Sequence, residues 1–244
     1  MKEIQIRKND AGQRLDRFVG KAVPLLPESL LQKYIRLKRI KRNGKGAKRD
    51  VRLVEGDVLQ LYINDEFFER PTEENAWLKI ATPRLDIVYE DENILLADKK
   101  PGVLCHSAGE WSWDTLISNI QAYLRQSGEW DPKAENAFTP ALCNRIDRNT
   151  GGIVIAAKNA EALRILNDKI RDREIDKAYL CVVCGRPKPA EGRLEGYLFK
   201  DAVKNQVYVT KKPQPGAKSA ATEYRTLQSS RGLSLVECRL LTGR

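Results

Sequence analysis

Asn144-Arg145-Ile146-Asp147-Arg148-Asn149-Thr150-Gly151-Gly152 runs directly into Ile153-Val154-Ile155-Ala156-Ala157. The apolar half is rich in β-branched residues and predicts a buried strand over residues 151–157. The polar half ahead of it places Asp147 at the mouth of a sheet, and its paired glycines let backbone or ligand approach closely. Downstream, Asn159 can cap a helix over residues 160–171, with Leu163, Leu166 and Ile170 on one face. Further strands are predicted at 177–184, 206–210, 220–227 and 234–241, and upstream at 94–98 before the turn Lys99-Lys100-Pro101-Gly102. Several short strands with one convincing helix among them predict an α+β fold. Its sheet should be mixed but mainly antiparallel, not doubly wound.

The chain has 244 residues and a formal net charge of +10. Residues 1–50 contain 15 Lys/Arg and five Asp/Glu, which accounts for all of that charge, and the remainder holds 28 of each sign. Within residues 31–49 there are nine cations (Lys33, Arg36, Lys38, Arg39, Lys41, Arg42, Lys45, Lys48, Arg49) and no carboxylate. A neutral body with one basic module suits attachment to a polyanion, because each neutralised phosphate releases counterions. A solvated helix face is the bland alternative, but nine cations without a compensating acid would repel one another. The module itself should be small. Leu15, Phe18, Val19 and Ala22 mark one helix, ended by Pro24. Leu30, Leu31, Tyr34 and Ile35 mark a second, starting near Pro27, and two short strands should follow at 38–42 and 58–63 around the turn pair Asn43-Gly44. The expected organisation is therefore a helical/β module at 1–65, a linker at 66–83, and a larger domain at 84–244.

The longest apolar run, Ala178 to Cys184, is far short of the ~20 residues a spanning helix needs. The N-terminus lacks the apolar core of a secretion signal. Five cysteines without framework spacing point to the reducing cytoplasm, and the single histidine, His106, excludes sites built on two. Cys181 and Cys184 have metal-ligand spacing but no second pair to complete a site, and on a strand they point to opposite faces, so no metal is expected. His106 reads as structural. Trp111 and Trp113 could stack on bases or cap a core edge. Asp147, flanked by Arg145 and Arg148, would stay ionised, as a nucleophile or a stabiliser of positive charge must. A structural ion pair fits the same spacing and, on spacing alone, is the better reading.

The motifs taken together carry more than spacing does. Residues 144–152 resemble the His-Arg-Leu-Asp-x-x-Thr-Ser-Gly signature of the RluA family of RNA pseudouridine synthases. Asp98-Lys-Lys-Pro-Gly-Val-Leu-Cys-His106, Lys177-Ala-Tyr179-Leu-Cys-Val-Val-Cys-Gly185 and Leu241-Thr-Gly-Arg244 agree in order. Residues 12–63 resemble the S-four-type RNA-binding domain. Asn144, Ile146 and Gly151 depart from the family's His, Leu and Ser, and the family continues past Thr-Gly-Arg, so the chain is expected to be truncated after Arg244. The resemblance implies a cofactor-free, metal-free isomerase acting on RNA, with large-subunit ribosomal RNA as substrate. It gives Asp147 the catalytic role, Tyr179 a place against the uracil, and Arg145 and Arg244 contacts to RNA. Lys33, Arg36, Lys38, Arg39, Lys41 and Arg42 would hold RNA through the N-terminal module. The chain is expected to be a monomer without membrane association. A non-catalytic RNA-binding protein built on the same scaffold is the competing expectation.

Overall fold

Pro24 and Pro27 punctuate the basic segment as their missing amide hydrogens require: α1 spans Leu15–Ala22 and α2 spans Glu28–Arg36, with Pro27 at its N-cap. The computed structural model describes residues 1–68, 80–107, 114–201 and 206–242. Around the two helices lie β1 (Lys2–Gln5), β2 (Ile40–Arg42), β3 (Lys45–Gly46) and β4 (Val58–Leu61), hydrogen-bonded in the order β1-β4-β2-β3. Leu15, Phe18 and Val19 from α1, Leu31 and Ile35 from α2, and Ile40, Leu59 and Leu61 from the sheet close one apolar core. Phe18 is fully buried, and truncating such a ring costs about 3–5 kcal/mol. The strand at Lys2–Gln5 is not evident in the sequence, because Ile4 is its only apolar residue.

A second sheet holds β5 (Ile87–Glu90), β6 (Ile94–Lys99), β7 (Ala141–Leu142) and β8 (Gly152–Ala157), in the order β5-β6-β8-β7. Leu95, Ala97 and Lys99 alternate onto the buried side of β6, and Val154 and Ala156 do so on β8. Helix α3 (Leu116–Gln126) begins at Thr115, whose side chain caps Ser118 N, and buries Leu116, Ile120 and Leu124. The Tyr123 hydroxyl donates to Glu90 (2.9 Å), and Lys158 pairs with both Glu90 and Glu129. Helix α4 (Ala160–Arg171) starts where expected, with Ala162 N donating to Asn159 Oδ1 at 2.9 Å.

The third sheet contains β9 (Ala178–Cys184), β10 (Glu191–Asp201), β11 (Gln206–Thr210), β12 (Lys218–Ser230) and β13 (Leu233–Leu240), ordered β11-β10-β12-β13-β9. Every strand pair among the described residues is antiparallel, so the fold is α+β with antiparallel sheets, as expected. The chain divides into two compact units, Met1–Asp168 and Lys169–Arg244, the division falling in the last turn of α4. Residues 69–79 of the expected linker, and with them most of that segment, lie outside the described residues.

Within the first unit the basic module is stitched to helix α4 and to the loop ahead of β7. Arg164 Nη1 donates to Ala11 O (2.6 Å), and Asn136 Nδ2 donates to Gln5 O (3.0 Å) and Asp10 Oδ2 (2.8 Å). Asn9 Nδ2 donates to Glu135 (2.8 Å), and Arg7 reaches the Ala134 carbonyl. Gly12 lies at φ +76° with the Arg164 guanidinium 3.1 Å from where a Cβ would stand, so both conformation and space call for glycine.

Candidate active site and nucleic-acid interface

The loop that carries Asp147 is fastened by its backbone and leaves its charged side chains outward. Asn144 Oδ1 accepts from Ile155 N (2.8 Å), tying the loop's first residue to β8. Ile146 is buried and its carbonyl accepts the Cys105 thiol at 3.3 Å. Thr150 N donates to Asp147 O (3.1 Å), closing the turn. Gly102 N donates to Arg148 O (2.8 Å) while Arg148 Nε donates back to Gly102 O (3.1 Å). Gly151 stands where an added Cβ would meet Pro101 Cδ at 3.2 Å, so this departure from the family's serine accompanies a close approach of the two motifs.

Beneath this turn is Lys99, only 1% exposed. Its ammonium donates to the carbonyls of Lys100 (3.2 Å), Val103 (2.9 Å) and Arg148 (3.0 Å). A buried cation is tolerated when hydrogen bonds replace its hydration. Here those bonds clamp the 99–103 turn to the residue beside Asp147. The sequence motifs give Lys99 no role of its own. The signal was present: Leu95, Ala97 and Lys99 occupy every second position of one strand, so the lysine falls on the buried face. Lys100, one residue on, is exposed and paired with Asp86 (2.7 Å) and Asp98 (2.8 Å), which hold its ammonium well above the usual lysine range.

Asp147 itself is exposed and forms no ion pair or side-chain hydrogen bond among the described residues. Arg145 is exposed in the same loop, and burial together with its charge lowers the His106 imidazole. Burial pushes the Cys143 thiol up to about 11, which suits an inert side chain and not a nucleophile. Tyr179 lies half-buried on β9 in the second unit, directly opposite Cys238 on β13. Cys181 directs its thiol at Cys238 (Sγ–Sγ 3.8 Å), not toward Cys184. Arg244, Trp111 and Trp113 lie outside the described residues. Among the described residues no group of three His, Cys, Asp or Glu side chains is placed to hold a metal ion.

The basic segment presents two kinds of cation. Lys33, Arg36, Lys38 and Arg39 are exposed, and Lys33 and Arg36 share one shallow depression with Lys48 and Arg49. Arg42 instead ion-pairs with Asp57 (2.6 Å), whose buried carboxylate also accepts from Val54 N and Asn43 Nδ2. Lys41 lies over the Tyr62 ring, 5.2 Å from its centroid, and Arg39 over Tyr34 at 5.3 Å.

Residues 93–244 match the family described as RNA pseudouridylate synthase. The chain is 31% identical to an uncharacterized RNA pseudouridine synthase of Mycoplasma genitalium, over 98% of this chain and 74% of that protein. It is 26% identical to the ribosomal large subunit pseudouridine synthase C of Escherichia coli, over all of this chain and 73% of that one. Among solved structures, the human protein RNA pseudouridylate synthase domain containing 4 superposes with a TM-score of 0.53 at 21% identity. That superposition covers 70% of this chain and 64% of the human one, a likeness of fold.

Proposed function

Since the chain belongs to the RNA pseudouridylate synthase family, we propose that it isomerises uridine to pseudouridine in large-subunit ribosomal RNA, in the cytoplasm, with Asp147 as its catalytic carboxylate. The observation that carries this reading is the state of Asp147. A structural aspartate would be paired, and this one is exposed and unpaired among the described residues, on a loop whose backbone is pinned from beneath. Pre-organised charge is effective because nothing must reorganise when the reaction begins. The related large-subunit synthase named above supports the choice of substrate.

The reaction breaks the bond between uracil N1 and the ribose C1′, turns the base, and joins C5 to the same carbon. The proton on C5 must leave, and N1 gains one. Asp147 supplies negative charge to the electron-poor sugar. Tyr179 offers an aromatic face to the detached uracil and a phenol near the departing proton. Arg145 engages the phosphate of a nucleotide drawn out of its stack, since a paired base is out of reach. The module at 1–65, read as an S-four-type domain, anchors the RNA through Lys33, Arg36, Lys38, Arg39 and Lys41. Arg42 contributes by holding the turn at Asn43, and Arg244 by an electrostatic contact.

Asp147→Asn keeps the shape and removes the charge. It should cut pseudouridine formation in transcribed large-subunit RNA by at least a few hundredfold, the value of about 3–4 kcal/mol of electrostatic stabilisation. RNA affinity and melting temperature should stay near those of the parent protein. Near-normal modification by the variant would overturn the assignment, and a parent protein that binds RNA but modifies none would favour the non-catalytic reading.

A further inference from the structure

The outer side of the N-terminal sheet carries an aromatic ring that the core does not use. β4 ends with Leu61 fully buried, and the next residue, Tyr62, is 43% exposed. Tyr62 N donates to Arg39 O at 2.9 Å, which fixes the ring beside the turn that delivers Lys38, Arg39 and Lys41. Those four residues line one open cleft with Asn64 and Ile63. Tyr89 and Tyr208 are the other tyrosines exposed to a similar degree, and their hydroxyls are spent on Asp91 and Gln206. Among the described residues neither has a cation over its ring, whereas Tyr34, which has Arg39 over it, is 8% exposed and belongs to the core. Among the described residues, Tyr62 is the one tyrosine that combines a well-exposed ring with adjoining cations.

We propose that Tyr62 is a stacking platform for an unpaired base of the bound RNA, with Lys38, Arg39 and Lys41 on the flanking phosphates. A base on an exposed aromatic ring is worth about 5- to 150-fold in affinity. An exposed lysine over a ring is worth about 2- to 5-fold. The base therefore displaces the Lys41 ammonium from the ring face, and the ammonium moves to a phosphate where counterion release favours it. The cleft thus selects single-stranded or looped RNA over a continuous duplex, whose bases offer no free face. This inference rests on the reading above only in taking RNA as the ligand, and not on catalysis by Asp147.

The test compares a 12-nucleotide oligoadenylate carrying one 2-aminopurine with a 12-base-pair RNA duplex, each titrated with the full chain at several salt concentrations. Tyr62→Leu should weaken the single strand about tenfold, abolish quenching of the 2-aminopurine, and leave duplex affinity within about twofold. Its log–log salt slope should be unchanged, because no phosphate contact is lost. Tyr62→Phe and Tyr62→Trp should bind the single strand at least as well as the parent protein, which keeps the test valid if the leucine variant folds poorly. Lys41→Ala should instead lower the salt slope by about 0.7. A folded Tyr62→Leu protein with parental single-strand affinity, or with equal losses on both probes, would overturn the stacking role. A parent protein that binds neither probe would overturn the RNA reading itself.

Discussion

Lys99 shows how one buried charge can organise a site it does not enter. Its ammonium joins three carbonyls, one of them on Arg148, the neighbour of Asp147. Lys99→Met keeps the stem and strands those carbonyls. Hydrogen bonds to a charged group contribute about 1.5–3 kcal/mol each, so a loss of about 2–3 kcal/mol is expected after partial relaxation. Melting temperature should fall by about 5–10 °C, read by calorimetry. Pseudouridine formation should fall further than stability explains, because the Asp147 turn is no longer pinned. A variant with parental melting temperature and activity would show that water replaces the ammonium at no cost. Asp147 was legible in the sequence because a charged loop running into an apolar strand marks a sheet edge. Its freedom from pairing was not legible, since Arg145 and Arg148 beside it suggest an ion pair that the fold does not make.

At the level of elements, local chemistry was readable and long-range pairing was not. Asn43-Gly44 announced the β2–β3 turn, and Asn43 adopts a left-handed φ of 51° there. Asn159 announced α4. Helix α3 is not among the expected elements although Thr115 and the Leu116/Ile120/Leu124 spacing mark it, and Gly192, Gly196 and its charged residues hide β10. Charge alone does not distinguish Arg42 from its neighbours, whereas register puts it beside Leu59 on the inner side, where it meets Asp57. Burial raises the Asp57 carboxyl, but the Val54 amide, Arg42 and Asn43 outweigh burial and hold it below the usual aspartate range. The unfolded chain therefore takes up this proton first. The stabilisation is complete above the ordinary aspartate value of about 3.9 and is lost as pH falls below it through the lowered folded value. Thermal melts from pH 6 to pH 2.5 should show Asp57→Asn destabilised at the upper end by about 1–3 kcal/mol, with the gap narrowing on acidification. A gap constant with pH would remove ionisation from the explanation.

For the whole molecule the decisive feature is the seam at Gln5, Asn9, Asp10, Ala11 and Gly12 that joins the basic module to residues 134–136 and to Arg164. The sequence suggested two parts connected by a linker, because a polar loop gives no sign that its side chains will be used across more than a hundred residues. Gly12→Ala must hold alanine at φ +76° and push the Arg164 guanidinium aside, at a cost of about 1–3 kcal/mol. The module should then open separately from the rest of its unit, seen as a second, lower transition in the melt. A single transition at the parental temperature would show that the seam is not limiting.

The seam also couples sites by mass action. A ligand that binds only the folded module, supplied at a hundred times its Kd, stabilises that module by about 2.7 kcal/mol. Because Met1–Asp168 is one compact unit, the same free energy is shared by every backbone amide freed only when the unit unfolds. Val154, fully buried on β8, belongs to that unit. Exchange of its amide with deuterated solvent is thus a distant gauge of occupancy at Lys33 and Arg36, slowing about a hundredfold when an RNA fragment confined to the module saturates it.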